Sequence, residues 1–251
     1  MELKGEHIFL TGASKGIGAG IAHSLLEAGA TLSLHYNSGV GDLAKAISEH
    51  PGAAHQLVQA NFEDIGVIQE LFGQVIGFQS PLNTLILNAG VFIPHEPGMA
   101  PETWWEIWQK TMRINLDACG LLTKLALDHF MENGGGRIIY IGSRAAFRGE
   151  TSAYLAYAAS KGGVTSLARS VARSFGKYGV KSFVVAPGFT RTPMAEPFIK
   201  QAGEEKILEE LALNELTEPK DIAPLIRFIC SGQMDHATGT TIDVNAGSYM
   251  H

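Results

Sequence analysis

The sequence is short of three things: cysteine, long apolar runs and excess positive charge. Its two cysteines, Cys119 and Cys230, lie in apolar helical patterns and are too few for a disulfide framework or a zinc set. They read as buried thiols in a reducing cytoplasm. No uninterrupted apolar stretch approaches the roughly 18 residues of a membrane helix, and Met1-Glu2-Leu3-Lys4-Gly5-Glu6 lacks the basic and apolar regions of an export signal. A cytoplasmic protein with no membrane partner is expected. Lysine and arginine number 19 against 25 acidic residues, for a formal charge of -6, and no basic run occurs. Nucleic acid, whose phosphates need a basic footprint, is therefore not an expected partner. Linkers, low-complexity segments and short repeats are missing too, so residues 1–251 read as one domain.

What is present is an ordinary globular composition, 45% apolar and 18% charged, in which strands alternate with helices. Short apolar runs at His7–Thr11, Thr31–His35, His55–Gln59, Thr84–Leu87, Arg137–Ile141, Lys181–Ala186 and Thr241–Val244 predict about seven strands. Between them the apolar period is helical: Ile17, Ile21, Ala22, Leu25 and Leu26 share one face before Gly29, further helices are expected near Gly41–His50 and from Asp64 to Gly77, and a long one over Pro101–Glu132. Pro219 suits the first position of a last helix. This order implies an α/β fold, a doubly wound parallel sheet with helices on both faces, in which ligands sit at the carboxyl ends of the strands. The segment 190–214, with Pro193, Pro197 and Gly203, has the loose pattern of a substrate loop or lid.

The strand ends carry the chemistry. Thr11-Gly12-Ala13-Ser14-Lys15-Gly16-Ile17-Gly18 follows the first strand, and its glycines let a pyrophosphate approach backbone N–H groups at the positive end of the next helix. Asn88-Ala89-Gly90 follows the fourth strand, Gly142-Ser143 the fifth and Pro187-Gly188-Phe189-Thr190-Arg191-Thr192 the sixth. After Ser143 comes Tyr154-Leu155-Ala156-Tyr157-Ala158-Ala159-Ser160-Lys161, opening a helical segment to about Tyr178. Tyr157 and Lys161 are four apart and so share a face. A phenol normally titrates near pH ~10, and a neighbouring cation favours its ionised form, which suits proton exchange nearer neutrality.

Taken together, Thr11-Gly12-x-x-x-Gly16-x-Gly18, Asn88-Ala89-Gly90, Asn115, Ser143, Tyr157-x-x-x-Lys161, Pro187-Gly188…Thr192 and Val244-Asn245-Ala246-Gly247 resemble the ordered motifs of short-chain dehydrogenases/reductases. The resemblance spans nearly the whole chain and implies a Rossmann-type domain, usually tetrameric, that moves a hydride between a nicotinamide cofactor and a carbonyl or secondary alcohol. It assigns Tyr157 as general acid and base, Lys161 as the cation that lowers its pKa, Ser143 as hydrogen-bond donor to the substrate oxygen, and Asn115 either as support for a proton-relay water or as a helix-kinking residue. It places the cofactor against Gly12, Ser14, Lys15, Gly16, Ile17 and Gly18, against Tyr36, Asn37 and Asn61, against Asn88, Ala89 and Gly90, against Tyr157 and Lys161, and against Pro187, Gly188, Thr190 and Thr192.

Several residues depart from the family pattern. Ser143 and Tyr157 are 157 − 143 = 14 apart, one more than expected, which implies an inserted residue in Phe147–Ala153. Asn61 stands where an aspartate is common, and Ala246 replaces the first glycine of a common pair, a change expected to be minor. Tyr36 occupies the place where an NAD-specific enzyme carries an acid for the ribose hydroxyls, while Lys15, with Asn37 and Ser38 nearby, suits a 2′-phosphate. NADP(H) is expected, with NAD(H) the other option. The substrate pocket is expected among Phe92, Ile93, His95, Arg144, Phe147, Tyr154, Phe189, Met194 and Phe198. Arg144 either orients an anionic substrate or makes a salt bridge on the sheet rim. His95 is either a polar pocket group or an exposed loop residue.

Length and the C-terminal pattern look most like 3-oxoacyl-acyl-carrier-protein reductases, although Met131–Gly136 offers no cation to an acidic carrier. A silent nucleotide-binding sensor or scaffold is the alternative of another class, opposed by the intact set Asn115, Ser143, Tyr157 and Lys161. No Cys/His cluster with ligand spacing points to a metal.

Overall fold

The computed structural model describes residues 2–251. Its first half runs β1 (His7–Leu10), α1 (Gly16–Glu27), β2 (Thr31–Tyr36), α2 (Leu43–Ser48), β3 (His55–Gln59), α3 (Ile68–Ile76), β4 (Thr84–Leu87), α4 (Pro101–Met112) and α5 (Ala118–Glu132). The second half runs β5 (Gly136–Ile141), α6 (Ala145–Arg148), α7 (Leu155–Phe175), β6 (Val180–Pro187), α8 (Glu196–Ala202), α9 (Glu204–Leu208), α10 (Pro219–Cys230) and β7 (Thr241–Val244). All seven strands pair in parallel in the order β3-β2-β1-β4-β5-β6-β7. The strand order reverses between β1 and β4, so a crevice opens there at their carboxyl ends.

The central strands are continuous apolar runs because both their faces are covered. On one side Ile8, Leu10, Ile86, Ile139 and Phe183 meet α1, α2 and α10, while on the other Phe9, Leu85, Ile138 and Tyr140 meet α3, α5 and α7. α1 and α10 approach so closely that a Cβ on Gly20 would lie 2.6 Å from Cβ of Pro219. Pro219 does open α10, in a capping box in which Asp221 accepts from the Glu218 N–H at 2.7 Å. Both cysteines are free and buried, and burial pushes the Cys119 thiol up to about 11.

Three expectations are refined. The long helix expected over 101–132 is broken by a five-residue π turn, Arg113–Asp117, which places Asn115 on the inner side. Asp64 accepts from the Gly66 N–H at 2.9 Å, but it caps a 3₁₀ turn (Ile65–Val67) that precedes α3. The expected lid contains α8 and α9, whose Ile199 and Ile207 form a small separate core with Leu216. Among the described residues no helix is long and apolar enough to cross a membrane, and no group of three or more His, Cys, Asp or Glu is placed to hold a metal ion.

Candidate active site

The glycine turn after β1 is held by side chains from two other strands. Asn88, at the end of β4, donates from Nδ2 to the carbonyls of Thr11 (2.9 Å) and Gly12 (3.0 Å). Thr11 Oγ1 accepts from the N–H groups of Asn88 and Ala89 and donates to the Ile86 carbonyl. From β2, His35 accepts the Gly12 N–H on Nδ1 at 3.0 Å; its Nε2 therefore carries the hydrogen, donated to the Ala60 carbonyl at 3.0 Å. Its ring stacks on Phe62 with centroids 4.1 Å apart, and burial holds its pKa down to about 4. Both Asn88 amide hydrogens are thus spent on the turn itself.

Backbones meet closely here. A Cβ on Gly18 would lie 2.0 Å from the Gly12 carbonyl oxygen, and one on Gly12 would lie 2.9 Å from Cα of Ala89. α1 starts just beyond, with Lys15 as an N-cap that makes no side-chain bond and no acidic residue in the first turn. Its N–H groups thus retain capacity for an anion at the positive helix end. This donor set fits a dinucleotide pyrophosphate. Lys15 and Asn37 are exposed beside the turn, and the strand-two end carries no acid.

Across the crevice, the side chains of Ser143 and Tyr157 lie close together. Ser143 Oγ also accepts the Ala145 N–H at 3.1 Å, which fixes it at the start of α6. Between Ser143 and Tyr157, Gly149, at φ +80°, ends α6 before a 3₁₀ turn at Ser152–Tyr154. Lys161 is buried and donates to the Ile141 carbonyl at 2.8 Å, with its Nζ 5.7 Å from the centre of the Tyr157 ring. The balance of effects on the phenol therefore differs from the expectation. Burial pushes the Tyr157 phenol up to about 12, and the neighbouring Ser143 hydroxyl opposes this. Burial pushes the Lys161 ammonium down. Four-residue spacing does put the two side chains on one face, and desolvation is the largest effect on the phenol.

Asn115 is 1% exposed and links three segments. Its Oδ1 accepts the Val91 N–H at 2.8 Å; its Nδ2 donates to the Val91 carbonyl at 3.0 Å and to Ser160 Oγ at 3.1 Å. Ser160 in turn donates to the Tyr157 carbonyl at 2.7 Å. The helix distortion expected at Asn115 is present and serves this peg.

The expected pocket residues divide into two groups. Phe92 stacks on Tyr154, with centroids 3.7 Å apart, and meets Tyr157 edge-on at 4.7 Å; Phe189 and Phe198 pair at the start of the 190–214 segment, and Met194 is exposed nearby. Ile93 is half-buried on the same loop as Phe92.

Three others are committed elsewhere. Phe147 stacks on His251 at 4.1 Å with the Arg169 guanidinium on it, so it braces the C-terminal segment. Arg144 is 6% exposed and pairs with Glu210 of the 190–214 segment at 3.6 Å, the salt-bridge reading, although its Nη1 has no partner. His95 is neither exposed nor on the pocket wall: at 0% exposure it lies under the start of α7, because both ring nitrogens face main-chain groups. A cleft of about 550 Å³ lined by Pro97, Met99, Pro101, Trp104, Trp105 and Leu155 lies outside this site.

Sequence reasoning missed His35 and Glu210 and gave no role to Thr11 or Ser160. A histidine inside an apolar parallel strand was a readable signal, since such a ring needs partners. Glu210 gave none.

A family model described as enoyl-(acyl carrier protein) reductase matches residues 12–249. The chain belongs to the short-chain dehydrogenase/reductase family. Members of that family resemble it along its whole length. A 3-oxoacyl-acyl-carrier-protein reductase of Haemophilus influenzae is 33% identical, covering 99% of this chain and 100% of the relative. An NADPH-dependent aldehyde reductase-like protein of Arabidopsis thaliana is 30% identical, covering 98% and 95%. Among solved structures, one described as a gluconate 5-dehydrogenase of Beutenbergia cavernae with bound NADP superposes with a TM-score of 0.87 at 26% identity, covering 98% of each chain.

Proposed function

We propose that this short-chain dehydrogenase/reductase interconverts a carbonyl and a secondary alcohol with NADP(H), using Tyr157 as the proton-transferring group. The observation that carries the reading is the convergence of Ser143, Tyr157 and the buried Lys161 at the carboxyl end of β5, across the crevice from the glycine turn. The cofactor supplies or accepts the hydride. Gly12 to Gly18 would hold its pyrophosphate, and Lys15, with Asn37, a 2′-phosphate.

Tyr157 then gives a proton to the substrate oxygen in reduction and takes one in oxidation. Its high pKa keeps the phenol protonated through neutral pH, ready as an acid. Ser143 donates to the same oxygen and stabilises the charge that develops on it. Lys161 and Asn115 place buried positive charge and a fixed hydrogen-bond chain behind the phenol. Residues 1–251 act as one unit with 190–214 as its lid, in the cytoplasm, as the homotetramer usual in the family.

Tyr157→Phe is expected to keep NADPH affinity within about twofold and to lower kcat at least roughly 10²-fold. Turnover equal to wild type in that variant would refute the mechanism. Initial rates with NADPH and NADH decide the cofactor, and a tenfold preference for NADH would overturn the assignment. A second reading, reduction of a 3-oxoacyl thioester on a carrier, is favoured by the full-length similarity to the carrier-protein reductases. Comparing an aromatic aldehyde, gluconate and a 3-oxoacyl thioester separates the two.

A further inference from the structure

We propose that His95 is a positioning residue for Tyr157, acting through the first turn of α7; this rests on the reading of Tyr157 as the proton-transferring group. The first N–H groups of a helix need acceptors from outside it. Tyr154, at the N-cap, supplies no side-chain bond. The Ala156 N–H, one residue before Tyr157, instead donates to His95 Nε2 at 3.2 Å. An amide N–H can only donate, so Nε2 presents its lone pair and Nδ1 carries the hydrogen, facing the Ile93 carbonyl at 3.3 Å.

The main chain of His95 takes part as well. Its N–H donates to the Ala153 carbonyl at 2.8 Å, so residue 95 is joined to the chain on both sides of Tyr154. Trp104 packs edge-on against the ring at 5.1 Å and walls it from the outer cleft, which His95 does not line.

The same short strap carries Phe92, whose ring stacks on Tyr154 and abuts Tyr157 edge-on. One end of the strap is pegged by Asn115 through both main-chain groups of Val91, and the other by His95. Between these pegs Phe92 forms one wall of the phenol's slot. Without the His95 acceptor, the Ala156 N–H is left buried and unpaired, the strap loses one peg, and the phenol is free to leave the line that Ser143 sets. The histidine touches no reacting atom on this account.

The test uses the full chain and three variants. His95→Gln places an amide oxygen where Nε2 stood; in His95→Asn the oxygen falls short; His95→Ala has none. Each is measured for NADPH binding by cofactor fluorescence, for kcat and KM on the fastest of 4-nitrobenzaldehyde, gluconate and an acetoacetyl thioester, and for amide exchange at Ala156 and Tyr157. His95→Ala and His95→Asn are expected to lose at least tenfold in kcat, to exchange at least tenfold faster at Ala156, and to keep NADPH affinity within twofold, with His95→Gln restoring both losses to within threefold. Unchanged kcat in His95→Ala, a parallel loss of NADPH affinity, or His95→Gln no better than His95→Asn would each overturn the proposal. Should His95→Ala fail to fold, the Gln–Asn pair decides alone. Tyr157→Phe is run alongside: persisting turnover there overturns the reading of Tyr157, whereas a dead Tyr157→Phe with unaltered His95 variants overturns only the role of His95.

Discussion

The two halves of the crevice are held by the same device in mirrored form. At the glycine turn His35 accepts a main-chain N–H on Nδ1 and donates from Nε2; at the start of α7 His95 accepts on Nε2 and faces a carbonyl with Nδ1. The settings differ. His35 stands on β2, where main-chain pairing to both neighbouring strands fixes the ring's origin, and Phe62 covers its face. His95 stands on a connection with no regular structure, so its place depends on Asn115 and on Trp104. The glycine turn is thus built to stay, whereas the slot of the tyrosine is built from parts that hold one another. Damage on the first side should appear in cofactor affinity and stability, damage on the second in turnover.

The sharpest break on the cofactor side is Gly18→Ala. Its Cβ would fall 2.0 Å from a backbone oxygen that Asn88 also fixes, so neither partner can yield cheaply. A stability loss of roughly 3 kcal/mol is expected in urea melts, with NADPH affinity falling beyond detection.

Acidification comes next. The His35 ring titrates at about 4 in the folded protein, against about 6.5 in an unfolded chain. Its contribution is complete above pH 6.5 and is lost as pH falls toward 4, because only the unfolded state takes up the proton readily. That loss is on the order of 3 kcal/mol, and unfolding free energies measured across this window should slope less in His35→Asn, which cannot titrate.

A finer comparison is the reach of the replacement. Asn Oδ1 can stand in for Nδ1 at residue 35, as Gln Oε1 can for Nε2 at residue 95. His35→Asn should therefore keep NADPH affinity within a few-fold, whereas His35→Ala, with the Gly12 N–H unpaired, should weaken it by roughly tenfold, about 1–2 kcal/mol. Equal affinities in the two would remove His35 from the turn's support. The smallest effect lies outside both regions. Ala246 has φ +52°, a left-handed backbone, and its carbonyl accepts from Ala212 and Leu213 at the end of the 190–214 segment. The expected minor change is thus a locally strained one, and Ala246→Gly should raise stability by up to about 1 kcal/mol in thermal melts.

The sheet and its order of elements were legible because buried parallel strands and one-sided helices write themselves as apolar runs and 3.6-residue periods. Tyr157, Ser143 and the glycine turn were legible because each lies at a strand end or on one helix face. The supports were not. His95 finds its partner 61 residues away and His35 finds Gly12 23 residues away, and nothing in either neighbourhood names the other. The upward push on the Tyr157 pKa was hidden for a related reason: spacing gave the face shared with Lys161, but desolvation belongs to the assembled fold. The π turn was hidden because apolar periodicity runs through it with little change.

That turn bears on how such a chain tolerates deletion. A π turn holds one residue more than the α-helical repeat, so excising Ile114 would let 101–132 wind as one uninterrupted rod, smoother and better bonded along its axis. Asn115 would then swing by roughly 100° about that axis, away from Val91. The molecule would trade the slot that holds Tyr157 for a straighter helix, which makes the surplus residue the part of the rod that selection for regularity alone would discard.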